Sequence, residues 1–311
     1  MSRRLAALVA ASLLVGACSS GASTWAPTAI PSPTAAFPLT LVDDDGLSVT
    51  LAAPPARIVT FAPSITEILF ALGLGDRIVG VSGPYDDHPA AAADIPEVGG
   101  AGDFGVDPNL ETVVGLEPDL FLTIAGGDAW KQRLRDLGVT VFTIDATDLD
   151  DLLHDIGTVG DLTGTAPAAA ALVASMRADA EAIAGAVADL PRVRCFFEVF
   201  YPPLVAAGPG TFIDDLLRRA GCDSVSASAA SAYPEWSVED LVAADVAVYL
   251  VSSESGADAA AVLARPGFDA VAAVAAGHVA VVDSDLVTRA GPRIVEGLRA
   301  VALALHPGIA V

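Results

Sequence analysis

Basic charge is what this 311-residue chain has least of. Sixteen Lys and Arg stand against 39 Asp and Glu, the formal net charge is −23, and Lys131 is the only lysine. Phosphate backbones are gripped by clustered Lys and Arg, so nucleic acid is excluded as a partner. Electrostatic attachment to an anionic membrane face is excluded on the same ground. Long hydrophobic runs are lacking too. Hydrophobic residues make up 53% of the chain, ample for a core, but they come as short Ala- and Val-rich runs. None reaches the roughly 20 residues of a spanning helix. Histidine is scarce and scattered, at His88, His154, His278 and His306. A cage of histidines and carboxylate is therefore not expected, and no metal site is assigned. There is no H-E-x-x-H, G-x-S-x-G or P-loop, and Gly73-x-Gly75 lacks dinucleotide spacing. No acid pair is set apart as general acid and base. An enzyme is not expected; an α/β enzyme is the remote alternative.

What is present begins with an address. Arg3 and Arg4 precede a twelve-residue apolar run over 5–16, which ends in Val15-Gly16-Ala17-Cys18. That is the length of a signal-peptide core. The segment resembles the bacterial lipobox, whose cysteine becomes the lipidated first residue. Residues 1–17 are thus expected to be a lipoprotein signal peptide. Cys18 would carry several acyl chains, enough for stable anchoring. Residues 18–38, rich in Ser, Thr, Ala and Pro, are expected to form a flexible tether.

Beyond it, the acidic turn Asp43-Asp44-Asp45-Gly46 predicts a β-hairpin over 39–52. Short β-rich runs then alternate with helical patterns, which predicts βαβ units and parallel sheets. The runs fall in two sets: 58–61, 78–82, 120–124 and 139–145, then 193–199, 224–226, 246–251 and 279–283. The sets correspond. Ala71-Leu72-Gly73 before Ile78 matches Arg219-Ala220-Gly221 before Val225. Asn109–Val114 matches Ser237–Val242, and 137–145 matches 276–283. Repetition in the same order predicts two similar four-stranded lobes, at 39–164 and 191–311. Residues 165–190 between them are Ala-rich and helix-forming, which predicts a rigid connecting helix. A closing helix is predicted over 292–305, with Pro292 in its first turn.

Arg57–Gly73, Tyr85-Asp86-Asp87-His88-Pro89, Ile95–Gly100, Tyr233–Leu241 and Arg289–Ile294 together resemble the cobalamin/ferric-siderophore class of ABC-transporter substrate-binding proteins. The resemblance runs from residue 57 to about residue 305. It implies two Rossmann-like α/β lobes joined by a long rigid helix, with ligand clasped in the cleft between them. It implies delivery of a cobalamin or other corrinoid to an ABC importer made of a permease dimer and its ATPase. A ferric siderophore or haem is the alternative cargo. No resident cofactor is expected, and the protein is expected to act as a monomer.

Ligands of such sheets sit beyond the carboxyl ends of the strands. Those ends carry Pro63, Ser64, Tyr85, Gly126 and Gly127 in the first lobe. In the second they carry Phe200, Tyr201, Tyr233 and Trp236. Aromatic residues are only 6% of the chain, so their recurrence in these loops suits a large planar ligand. Family resemblance adds Phe104, and Arg289 is expected to meet a polar group of the ligand. It also gives Glu111 and Glu239, one per lobe, the role of docking on the permease. Ser64-x-x-Glu67 and Ser237-x-x-Asp240 both read as capping boxes. Cys195 and Cys222 are expected either as a disulfide or as two buried thiols.

Overall fold

The computed structural model describes residues 36–99 and 107–311. The leader, Cys18 and Phe104 lie outside them.

The hairpin forms between β1 (Leu39–Val42) and β2 (Ser48–Leu51), paired antiparallel with Leu39 opposite Leu51. Gly46 takes the left-handed conformation that closes the turn. The three aspartates before it do more than turn the chain. The Thr143 amide donates to Asp43 and the Asp145 amide to Asp44, at 3.3 and 2.6 Å. Asp45 receives Lys131 Nζ at 2.8 Å and the Thr143 hydroxyl at 2.7 Å. The chain's single lysine is thus fully buried, riveting the hairpin to the first lobe.

That lobe runs β3 (Ile58–Phe61), α1 (Pro63–Ala71), β4 (Ile78–Gly80), α2 (Leu110–Gly115), β5 (Leu120–Thr123), α3 (Asp128–Asp136), β6 (Val141–Thr143) and α4 (Leu149–Thr163). Its strands form a parallel sheet in the order β4-β3-β5-β6. Every residue of β3, β5 and β6 is buried. Parallel strands covered on both faces read as continuous apolar runs for this reason. Helix α5 (Ala166–Val187) follows; at 1.5 Å per residue it is about 33 Å long.

The second lobe runs β7 (Val193–Phe200), β8 (Val205–Ala206), α6 (Phe212–Arg219), β9 (Cys222–Ser224), α7 (Val238–Ala244), β10 (Val248–Ser252), α8 (Ala259–Leu263), α9 (Ala272–Ala275), β11 (Val279–Val282), α10 (Ser284–Thr288) and α11 (Ile294–Leu305). Its parallel strands are ordered β9-β7-β10-β11. In each lobe, then, the lobe's second strand lies outside its first, followed by the third and fourth. The duplication seen in the motifs is a duplication of topology. The lobes are not identical: β8 pairs antiparallel with the end of β7, giving five strands where four were expected. Register puts Val193 beside Cys222, and a disulfide joins Cys195 to Cys222 with their Cα atoms 5.8 Å apart.

One apolar cluster runs through both lobes. It takes Ile58, Leu69 and Phe142 from the first, Leu216, Leu250 and Leu298 from the second, and Ala169, Met176 and Ile183 from α5. Gly160 of α4 lets the helix approach closely, since a Cβ there would collide with Ala169. The described residues accordingly form a single compact unit. The closing helix starts at Ile294 with Arg293 as its N-cap, so Pro292 stands just outside rather than in its first turn. Among the described residues, no helix is long and apolar enough to cross a membrane.

Candidate functional site

Two adjoining cavities open where the strand ends of the sheets face each other, and both touch Ile124. The first, about 380 Å³, is lined from the first lobe by Ser64, Ile144, Thr147 and Asp155, and from the second by Thr211, Phe212, Tyr233 and Thr288. The second, also about 380 Å³, is lined by Pro63, Ser82, Tyr85, Gly126, Gly127 and Trp130. Tyr85 and Tyr233, one from each lobe, are 52% and 57% exposed. Rings this exposed belong to the cavity walls and not to the core.

Of the sequence-predicted ligand residues, Pro63, Ser64, Tyr85, Gly126, Gly127 and Tyr233 line these cavities. Phe200, at the end of β7, is half exposed but lines neither. Tyr201 and Trp236 are half-buried and serve the second lobe's outer core. Tyr201 packs edge-on against Phe268 and under Arg265, whose guanidinium lies 4.0 Å from the ring centroid. Trp236 packs edge-on against Phe196 at 5.3 Å. Burial among apolar neighbours claims both rings.

Arg289 departs from expectation more sharply. Its side chain is 12% exposed and bound to Asp87 at 3.0 Å, Asp285 at 2.9 Å and Glu67 at 3.6 Å. Arg293 forks onto Glu67 with bonds of 2.9 and 2.6 Å. Glu67 and Asp87 belong to the first lobe and both arginines to the second, so these pairs latch one edge of the cleft. Burial works against the Asp87 carboxylate, but the hydrogen bond and charge of Arg289 outweigh it and hold its pKa below the usual range. The Ser64–Glu67 capping box does not form: Ala62 is the N-cap of α1 and no side chain caps it. Glu67 is drawn to Arg293 instead. A second latch lies on α4 and α6. There Arg219 bridges Asp150 at 2.8 Å and Asp215 at 2.6 Å, and Asp215 accepts the Leu149 amide at 3.2 Å.

Trp130 and Asp155 were missed in the sequence. Trp130 sits in the first turn of α3, its ring wedged between Phe61 and Phe121 at 5.4 and 5.8 Å. Its indole N–H is buried without a partner among the described residues. The ring fills the space beside Gly127, whose backbone is left-handed and where a Cβ would strike the indole. The G-G pair one turn before an aromatic was the available signal. Asp155 lies on the otherwise apolar stripe Leu152–Ile156–Val159 of α4 and is 5% exposed.

Glu111 and Glu239 are both exposed, in the first turns of α2 and α7. Asn109 caps the first helix by accepting the Thr112 amide, and Ser237 caps the second by accepting the Asp240 amide. Two equivalent short helices therefore present equivalent acids.

Comparison with known proteins agrees with this architecture. The periplasmic binding protein family model matches residues 58–286. An uncharacterized ABC transporter substrate-binding lipoprotein, YvrC of Bacillus subtilis, is 33% identical, covering 97% of this chain and 96% of the relative. A cobalamin-binding protein of Halobacterium salinarum is 35% identical over 87% of this chain and 74% of the relative. The periplasmic vitamin B12 binding protein BtuF of Vibrio cholerae superposes with a TM-score of 0.72 at 24% identity, covering 81% of this chain and 97% of the other. Paired sheets, a connecting helix and a cleft at the strand ends thus have one explanation: the chain belongs to the periplasmic binding protein family and is a non-enzymatic substrate receptor of an ABC importer.

Proposed function

We propose that the protein is a lipid-anchored receptor that captures a corrinoid between its two lobes and delivers it to a dimeric permease. The convergence of strand-end loops from both lobes on adjoining cavities walled by Tyr85 and Tyr233 carries this reading. The likeness to a cobalamin-binding protein supports the cargo. The charge of the cleft supports it as well. An anionic chelate or haem propionate calls for free arginines, yet Arg289 and Arg293 are already bound to Asp87, Asp285 and Glu67. A near-neutral, amide-rich ligand needs no such counter-charge. Acyl chains on Cys18 would keep the receptor at the outer face of the membrane, and Glu111 and Glu239 would meet the two permease subunits symmetrically.

Calorimetric titration of the purified chain with cyanocobalamin, cobinamide, haem and a ferric hydroxamate tests the cargo. Saturable 1:1 binding of the two corrinoids is expected; binding confined to haem or the ferric chelate would overturn it. For docking, a Glu111→Ala, Glu239→Ala double variant should abolish uptake in cells while leaving ligand affinity unchanged. Normal uptake would refute the role of those acids.

A further inference from the structure

The first cavity contains an ionisable group that the fold does not use. Asp155 is 95% buried, faces the cavity between the lobes, and receives no hydrogen bond from the described residues. An isolated buried carboxylate is costly, and its surroundings make it worse. On its own lobe the nearest charges are Asp44 of the hairpin turn, Asp145 at the end of β6 and Asp151 one turn earlier on α4. His154, beside it on α4, points to solvent. Charged groups on the facing elements are already engaged. On α6, Asp215 holds Arg218 and Arg219, with Asp214 close to Arg218. On α1, Glu67 holds Arg293, and ahead of α11 Arg289 holds Asp87 and Asp285. Helix α5 has no charge before Arg177. Burial, then Asp44, Asp151 and Asp145, push the Asp155 carboxyl up to about 7.

We propose that the Asp155 carboxyl receives a primary carboxamide arm of the ligand at the floor of the cavity, as a paired donor–acceptor contact. A neutral carboxylic acid presents an O–H donor beside a C=O acceptor. A primary amide presents the complementary C=O and N–H, so the two close a ring of two hydrogen bonds. An ionised carboxylate has no donor and would set one of its oxygens against the amide oxygen. This inference rests on the corrinoid reading, because the rim of a corrin ring bears such amides. It adds which form of which side chain does the recognition.

The test is a titration of the purified full chain with cyanocobalamin from pH 6 to pH 8.5. If only the neutral acid binds, affinity falls on the order of 30-fold across that range, tenfold per pH unit above the midpoint. Asp155→Asn keeps a donor and an acceptor at every pH. It should bind within a few-fold of wild type at pH 6 and show no slope. Asp155→Ala should bind weakly and without slope, and melting of both variants by circular dichroism confirms that they fold. A flat wild-type profile, affinity rising with pH, or a slope that survives in Asp155→Asn would overturn the role of Asp155 while leaving the corrinoid reading intact. Failure of cyanocobalamin to bind wild type at any pH would overturn both.

Discussion

Arg289 and Arg293 stand four residues apart, and each is committed to a carboxylate of the other lobe. Glu67 is 4% exposed and fully bonded by the Arg293 fork. Removing one partner of such a pair leaves the other buried and charged, which costs about 3–5 kcal/mol. Arg293→Ala should therefore lower unfolding free energy by about 3 kcal/mol in urea denaturation, discounted for the guanidinium's partial exposure. Arg293→Lys, which keeps the charge but not the fork, should recover part of that loss. A loss under about 0.5 kcal/mol would mean the pair is no stronger than a surface bridge. The same residues show where local reading fails. Ser64-x-x-Glu67 has the spacing of a capping box, but a partner 226 residues away outcompetes the nearby amide. Asp155 was legible in principle, as a charge on an apolar stripe; Arg289's commitment was not, since only the fold brings Asp87 to it.

At the scale of elements, seven of the eight predicted parallel strands stand where they were expected, because buried parallel strands require continuous β-branched and apolar runs; the one expected over 224–226 lies instead at Cys222–Ser224, a polar edge strand with no such run. The hairpin was equally legible from its turn. β8 was not: two residues carry no pattern, and Val205–Ala206 is strand only because the end of β7 is bare beside it. The β7–β9 pair carries the disulfide, which closes a loop of 27 residues. The chain-entropy account assigns such a loop about 3.5 kcal/mol. Replacing Cys195 and Cys222 with alanine should lower the melting temperature by roughly 10 °C, at about 2–4 °C per kcal/mol in a body of this size. An unchanged melting temperature after confirmed loss of the bond would show that strand pairing alone holds this edge. The bond lies at the start of β7, away from the strand ends that line the cavities, so ligand affinity should be spared.

Across the whole molecule, the two edges of the cleft are latched by ion pairs, and α5 shares one continuous core with both lobes. A stiff connection of this kind implies capture by a preformed cleft with little lobe movement, unlike hinged closure around a flexible linker. The overall plan was visible in the repeated motifs, and six of the eleven residues expected at the ligand do line the cavities. Which aromatics face the cavities was not, because Tyr201 and Trp236 differ from Tyr85 and Tyr233 only in what the tertiary fold packs against them. The most direct test of a ligand clasped by both lobes is amide hydrogen exchange with and without saturating cyanocobalamin. Protection should appear together in the loops at 62–64, 82–87, 124–127 and 145–147 of the first lobe and at 210–212 and 231–236 of the second. Protection confined to one lobe, or none at these strand ends, would contradict the account.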